Sequence, residues 1–441
     1  MSVRGLNSVP EEGVSPTPTL RVSHTATTST STSSAPSASN GVRSSSNSRK
    51  SSSSRSGRST GDAKRSAAPS ATAATRGPTA NKENKPHRTG SSSTVHKVRS
   101  VPRFHLEEDV EPVASTLMYW SRAPMWGHLP IRTMRAHSVT LVDSTAWMFG
   151  GCDDRESTSK EVYCFDTDTM QWTHPDVTGD IPPPSRAHTA TLVDRKIVVF
   201  GGGQNSTYFN SVHILDTLTR RWTKPVPHNP NAIAPAPRRA HTAVYYRGKI
   251  WIFGGGNGMT ALNDVWTLDV SVPGKFRWEL VETKGRKPTC RGYHTANLVG
   301  NLMIIIGGSD GNTCFSDLWY LDLETLEWNE NIIAKPAKRL SHTSTQVGSY
   351  LFLIAGHDGT DYRSDILFMN LVGLQYEERQ VAGKPPCGRG YHATVLVDSR
   401  LFVFGGYNGG NPFDDVYVLD LAASAYLPQV TSFTVGALDA E

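Results

Sequence analysis

Long apolar runs are missing from this 441-residue sequence. The longest, such as Leu302–Ile306, fall far short of the roughly 18 residues that a membrane-spanning helix needs, so no such helix is expected. The first residues, MSVRGLNSVPEEG, lack the apolar stretch of roughly 7 to 15 residues that a secretory signal carries. The expected location is the cytoplasm, with the nucleus also open. Cysteine is scarce: Cys152, Cys164, Cys290, Cys314 and Cys387 form no CxxC pair, which excludes a zinc ribbon and a disulfide scaffold. Also absent are HExxH, a P-loop and a dinucleotide-binding glycine fingerprint. GGGQNS and GGGNG follow apolar runs but open no helix, so no helix dipole is offered to a phosphate there. The acidic pairs Asp153-Asp154 and Asp414-Asp415 have no partner acid for glycosidase chemistry. No catalytic residue, metal ligand or cofactor is assigned.

Charge divides the chain in two. Residues 1–105 hold 26 serines and 16 Lys or Arg against 4 Asp or Glu, a net +12. The remaining 336 residues carry 29 basic and 36 acidic side chains, a net −7. The formal +5 is thus a difference of opposed regions, and the basic pI does not argue for a nucleic-acid-binding fold. So few aromatic and branched apolar residues cannot offset the roughly 1 to 2 kcal/mol per residue that ordering a backbone costs. Residues 1–105 are expected to form a disordered arm. Its serines beside Arg49, Lys50, Arg55, Arg58, Lys64 and Arg65 resemble basophilic kinase substrates, and Lys82-Glu83-Asn84 matches a short degron. No aromatics are interleaved for stacking bases, so specific nucleic-acid binding is not expected.

What is present in abundance is repetition. His137, His188, His241, His294, His342 and His392 recur at intervals of 51, 53, 53, 48 and 50 residues. Thirteen residues after each comes a small pair: Gly150-Gly151, Gly201-Gly202, Gly254-Gly255, Gly307-Gly308, Ala355-Gly356 and Gly405-Gly406. Then follow Asp166, Asp216, Asp269, Asp322, Asn370 and Asp420, and after them Trp172, Trp222, Trp278, Trp328, Tyr376 and Tyr426. Four markers keeping step through six units are not composition bias.

Each unit reads as four strands. HTATLV at His188 is small and β-branched, KIVVFGG at Lys196 is continuously apolar and so buried on both faces, and VHILDT at Val212 ends in an Asp suited to a turn. Two-residue turns such as Gly300-Asn301 join the first two strands. One such sheet cannot hide both apolar faces, whereas radial stacking of identical units does so without long exposed edges. The units resemble the kelch repeat over about Thr116 to Gln429, departing at Ala355, Tyr376 and Tyr426. The fold expected is all-β: a six-bladed kelch β-propeller of four-stranded antiparallel blades over residues 106–429, with repeats beginning near 135, 186, 239, 291, 339 and 389, and a tail at 430–441. Trp120 precedes His137 by 17 residues, and the other fourth-strand aromatics precede the next His by 14 to 19. Residues 116–123 are therefore expected to supply the last blade's outer strand; the alternative gives that place to Tyr426.

In a four-strand meander the second-to-third and fourth-to-first connections emerge on one face. The second-to-third loops keep their length but not their sequence, which marks a recognition surface. Candidate partner-binding residues there are Arg135, Arg186, Arg239, Arg291 and Arg389, which begin their blades, with Tyr208, Asn257, Asp310, Asn312, Asp358, Tyr362, Arg363, Tyr407 and Asn408 on the loops. Converging arginines suit a carboxylate or phosphate.

The resemblance implies a non-enzymatic adaptor or scaffold that captures a peptide or protein partner, as in fungal cell-end polarity factors, regulators of small GTPases and ubiquitin-ligase substrate receptors. Kinases acting on the arm are further expected partners. The alternative is a small-molecule enzyme, an oxidase, lyase or isomerase working at the channel mouth, since the kelch fold also occurs in the copper enzyme galactose oxidase. The six repeated histidines sit in equivalent blade positions and are expected to be structural rather than copper ligands.

Overall fold

The computed structural model describes residues 97–102, 116–131, 134–228 and 233–436. The serine-rich stretch and the Lys82-Glu83-Asn84 segment lie outside them. Among the described residues, no helix is long and apolar enough to cross a membrane.

Alternation and β-branching produce six antiparallel sheets, lettered here A to D from hub to rim. Blade 2 shows the pattern: Thr189–Val193 (A), Lys196–Phe200 (B), Val212–Asp216 (C) and Arg221–Thr223 (D) pair in consecutive order. Strand B is central, so both its faces are covered, and its last four residues are buried. At the end of strand C, Asp216 Oδ1 accepts hydrogen bonds from the Leu218 and Thr219 amides at 3.1 and 2.9 Å and turns the chain into strand D. The same bonds recur at Asp166, Asp322 and Asn370.

The A strands touch one another around a complete circle, the last, Ala393–Val397, meeting the first, Ser138–Val142. Each of the six seams between blades holds one apolar cluster. A repeated triad builds the seams. Phe149 of blade 1 lies 5.0 Å from both His188 and Trp222 of blade 2. Phe200 meets His241 and Trp278 in the same way, and Phe253 meets His294 and Trp328. The double glycine follows from this packing. At Gly201 (φ +69°) a Cβ would stand 2.8 Å from the Arg238 carbonyl and 2.8 Å from His241 Cε1 of the next blade.

The seams also share a polar bond. The residue after each His bonds to Nε2 of the next blade's His: Ser138 to His188 at 2.8 Å, Thr189 to His241 at 2.9 Å, Thr242 to His294 at 2.8 Å, Thr295 to His342 at 3.0 Å and Thr343 to His392 at 3.0 Å. At the sixth seam the residue is Ala393, and His137 Nε2 has no hydrogen-bond partner among the described residues. Ala393→Thr supplies the missing hydroxyl. It is expected to stabilise the ring by about 1 kcal/mol, read as a raised thermal midpoint; a lowered midpoint would show that the seam has no room for it.

Blade 6 takes strands A to C from Ala393–Val397, Arg400–Phe404 and Val416–Asp420, and its D strand from Met118–Arg122, which runs antiparallel to Val416–Asp420. Tyr426 lies instead on the short helix Ala422–Tyr426. Lys97–Arg99 forms a strand against Trp126–Leu129. Phe433 and Val435 pack on the cluster between blades 4 and 5.

A feature absent from the four-strand expectation lines the rim. The connector entering a blade adds a parallel segment to that blade's D strand: Trp126–Leu129 in blade 1, Thr178–Gly179 in blade 2, Val226–Pro227 in blade 3 and Val381–Gly383 in blade 6. In blade 4 the segment is a single bridge from Lys284 to Glu327. Among the described residues, blade 5 keeps only four strands.

Candidate functional site

The face that carries the second-to-third loops is organised by backbone first. In every blade, the residue after the small pair bridges to the residue two before the His, as Gly256 does with Arg239 and Tyr407 with Gly390. It also pairs across its own loop, as Gly256 does with Ala261 and Tyr407 with Pro412, making a tight hairpin tip. The next residue caps that tip. Asn257 Oδ1 accepts from the Met259 and Thr260 amides at 2.9 and 2.8 Å. Asp310, Asp358 and Asn408 do the same in blades 4, 5 and 6, and Asp153 accepts two amides in blade 1. Four residues expected to read a partner thus hold their own loops, with one oxygen committed to two amides. Asn312 is exposed beside them, its amide held by Asp310.

At the hub, the residue before each His takes a left-handed conformation, with φ between +52° and +57° at Ala136, Ala187, Ala240, Tyr293, Ser341 and Tyr391. Its amide donates to the carbonyl of its counterpart in the preceding blade, at 2.8 to 3.0 Å, and the circle closes with Ala136 donating to Tyr391. Six peptide groups form a ring of hydrogen bonds about the axis. Two large side chains project from it. Tyr293 and Tyr391 meet edge to face, with centroids 5.5 Å apart, whereas blades 1 to 3 carry alanine there.

The five arginines do not form one set. Arg291 and Arg389 stand three residues before the His, whereas Arg135, Arg186 and Arg239 stand two before it. The first kind is structural. Arg389 Nη1 donates to Asp415 Oδ1 at 2.6 Å and to the Gly405 carbonyl at 2.8 Å, Nη2 reaches Asp415 Oδ2 at 3.2 Å, and the guanidinium is fully buried. Arg291 repeats these bonds with Asp317 and Gly307. Arg238 repeats them with Asp264 and Gly254, and Arg339 bonds Asp365 at 2.6 Å. Burial alone would raise the Asp264 and Asp317 carboxyls; the bonds from Arg238 and Arg291 outweigh it and hold both below the usual range. Arg291 and Arg389 therefore staple their blades and are not available to clamp a ligand. Arg238 and Arg339 share that role, a grouping legible in the sequence once arginines are counted from the His.

Two of the second kind support tyrosines. The Arg239 guanidinium lies 4.3 Å from the Tyr208 ring centre and donates to the Tyr208 hydroxyl at 2.8 Å. Arg135 lies 4.2 Å from the Tyr407 ring centre and 3.6 Å from Glu156. Arg186 donates to Cys152 Sγ at 3.4 Å. All three are buried, so they fix what stands above them rather than reaching outward. The rings above are half-buried: Tyr208, Tyr407 and Tyr362, which meets Tyr407 at 6.0 Å and His357 at 4.7 Å. Arg363 remains exposed near Asp358 and Asp365. The face is thus a rigid backbone ring bearing tyrosines, with buried cations beneath two of them.

The six repeated histidines are buried in the seams. Burial holds them neutral: His137 is pushed down to about 4, His188 and His342 to about 3, and His241, His294 and His392 well below the ordinary value. Among the described residues, no group of three or more His, Cys, Asp or Glu is placed to hold a metal ion.

A closed six-bladed propeller of four-stranded units with this loop face is a kelch architecture. Residues 136–356 and 331–434 match the KLHDC2/KLHL20/DRC7 Kelch-repeats domain, and the chain belongs to the kelch-repeat family. It is 32% identical over 236 residues to host cell factor 2 of Homo sapiens, covering 49% of this chain and 29% of that protein. It is 26% identical over 311 residues to Kelch domain-containing protein 3 of Rattus norvegicus, covering 52% of this chain and 80% of the relative. It is 25% identical over 279 residues to acyl-CoA-binding domain-containing protein 4 of Arabidopsis thaliana, covering 60% of this chain and 34% of that protein.

Proposed function

We propose that the protein is a non-enzymatic adaptor whose loop face captures a peptide or loop of a partner protein. The observation that carries this is the contrast between what repeats and what does not. The His, the stapling Arg–Asp pairs and the loop caps recur around the ring and are consumed by the fold. Tyr208, Tyr293, Tyr362, Tyr391 and Tyr407 break the repeat. Tyrosine offers a large amphipathic contact with few rotatable bonds, so a ring already fixed by a cation or a neighbouring ring loses little entropy on binding. Membership of the kelch-repeat family and similarity to Kelch domain-containing protein 3 support the same reading. Polarity scaffolding, small-GTPase signalling and ubiquitin-ligase recruitment differ in which partner sits on this face, and the cytoplasm or nucleus is the proposed place of action.

The test is affinity capture by the full chain against a Tyr208, Tyr362 and Tyr407 triple Ala variant, with quantitative mass spectrometry of what is retained. The expected result is at least a tenfold loss of captured partners with an unchanged thermal midpoint. Arg389→Ala serves as contrast, since it lowers the midpoint by breaking a buried pair. Equal capture by wild type and triple variant would place the partner surface elsewhere.

A further inference from the structure

Charge is spread unevenly over the loop face. The connectors that run from rim to hub into blades 4, 5 and 6, residues 283–292, 332–340 and 379–390, contain Lys and Arg but no Asp or Glu. The connector into blade 2, residues 174–185, is the reverse, with Asp176 and Asp180 and no Lys or Arg. Three of the cations stand at matching places: Lys287 and Lys335 lie seven residues before their His and Lys384 eight, and each precedes a proline, which holds the lysine backbone extended. Asn263 Nδ2 donates to the Pro288 carbonyl at 3.0 Å and pins the first of these connectors to blade 3. All three lysines are exposed, as is Lys338. They form an arc, one step per blade, on the outer part of the face.

The charge of this arc is not consumed by the fold. Arg291, Arg339 and Arg389, in the same connectors, are buried in their pairs with Asp317, Asp365 and Asp415, and the exposed Arg286 is tied to Glu330 at 3.0 Å. Lys287, Lys335 and Lys338 make no ion pair among the described residues. On the opposite half of the face, Arg135, Arg186 and Arg239 are only 3 to 4% exposed, so an approaching carboxylate cannot reach them. Anion recognition falls instead to the lysines. Inside their arc stand the half-buried rings of Tyr293, Tyr362 and Tyr407, with Asp310, Asp358 and Asp361 on the loop tips between. Those acids decide the kind of anion. A continuous polyanion, such as nucleic acid or a charged lipid surface, would lay negative charge against them wherever it crossed the arc. A polypeptide can set carboxylates over the lysines and an uncharged side chain over the tyrosines.

We propose that the partner segment lies across blades 4 to 6 and is acidic, with an aromatic or apolar residue between its carboxylates. The carboxylates pair with Lys287, Lys335 and Lys338, and the uncharged side chain packs on Tyr293 and Tyr362. This rests on the adaptor reading above and narrows it to one half of the face and one partner chemistry. The exposed pairs steer encounter and set its salt dependence, while the tyrosines supply the contact that holds the complex.

The test selects random linear peptides displayed on phage against the full chain, and measures the selected sequences as fluorescein-labelled peptides by anisotropy. Peptides with net negative charge around an aromatic or apolar residue are expected. Lys287→Glu, Lys335→Glu and Lys338→Glu together should weaken their binding roughly tenfold or more and flatten its salt dependence. An equal change of charge on the other half, Arg155→Glu, Lys160→Glu and Lys224→Glu, should weaken it less than about twofold, because charges that distant are screened. Both variants should keep the wild-type thermal midpoint. Neutral or basic peptides that depend on Tyr362 and Tyr407, or peptides that bind the first variant as tightly as wild type, overturn this inference and leave the adaptor reading in place. No selected peptide, or peptides indifferent to the tyrosines, overturn both. Single-stranded RNA held more tightly than any selected peptide, and released by the first variant, assigns the arc to nucleic acid and overturns the inference as well.

Discussion

Lowering the pH from 7 is expected to unfold the propeller near pH 5, before most surface carboxylates protonate. The cause is the six seam histidines. Their folded values lie at about 4 for His137, about 3 for His188 and His342, and well below the ordinary value for the other three. Burial is the first cause; Arg238, Arg291, Arg339 and Arg389 oppose a second positive charge beside His241, His294, His342 and His392. An unfolded chain protonates its histidines near 6.5, so below that pH the unfolded state binds more protons than the folded one. Stability is complete above about 6.5 and falls as pH drops toward the folded values. Each histidine costs up to roughly 1.4 kcal/mol per pH unit, so six together approach roughly 8 kcal/mol per unit. Domains are stable by only about 5 to 15 kcal/mol. Tryptophan fluorescence and far-ultraviolet circular dichroism against pH read the transition, and His188→Asn should make it shallower. A fold that persists to pH 4 would show that the seams accept the charged imidazole.

The same histidines show what was legible in the residues and what was not. Their spacing, with the double glycine and the aromatic, was enough for the blade count, because each marker answers a local demand repeated in every unit: a ring at a seam, a backbone turn without Cβ, a wide side chain between sheets. The arginines were harder. Arg239 and Arg291 look alike when aligned as blade beginnings, yet one stands two residues before its His and supports Tyr208, while the other stands three before and is locked to Asp317. A shift of one residue on an extended chain sends the side chain to the opposite face. Asn257, Asp310, Asp358 and Asn408 read as variable tips because the amide and the carboxylate differ as letters, although either oxygen caps a turn equally. The rim segments escaped because their signal, a glycine seven residues after the aromatic in four connectors, is carried by backbone pairing with the next blade's D strand. The hub ring left almost no trace, since Ala, Tyr and Ser all enter it through main-chain atoms.

Closure of the ring depends on residues far from the last repeat, and two contrasted changes are expected to show it. Trp120 is 3% exposed, lies in the cluster between blades 5 and 6, and meets Tyr417 at 6.5 Å. Its strand supplies the D position of blade 6 through pairs from Tyr119–Asp420 to Arg122–Tyr417, and the Val381–Gly383 segment covers its outer side. Trp120→Ala removes a buried ring flanked on both sides, at a cost of about 3 to 5 kcal/mol. Tyr426, the aromatic that follows Asp420 at the repeat spacing, is 39% exposed on its short helix, so Tyr426→Ala should change stability by no more than about 0.5 kcal/mol. A chain beginning at residue 124 loses the strand altogether and leaves blade 6 with three. Its exposed core residues Leu401, Val403 and Leu419 would then face water along the seam, and no cooperative thermal transition is expected. Denaturant unfolding of the two point variants and calorimetry of the truncated chain provide the readout. An unchanged midpoint in the truncated chain, or a larger loss from Tyr426→Ala than from Trp120→Ala, would mean that the ring closes from its C-terminal side instead.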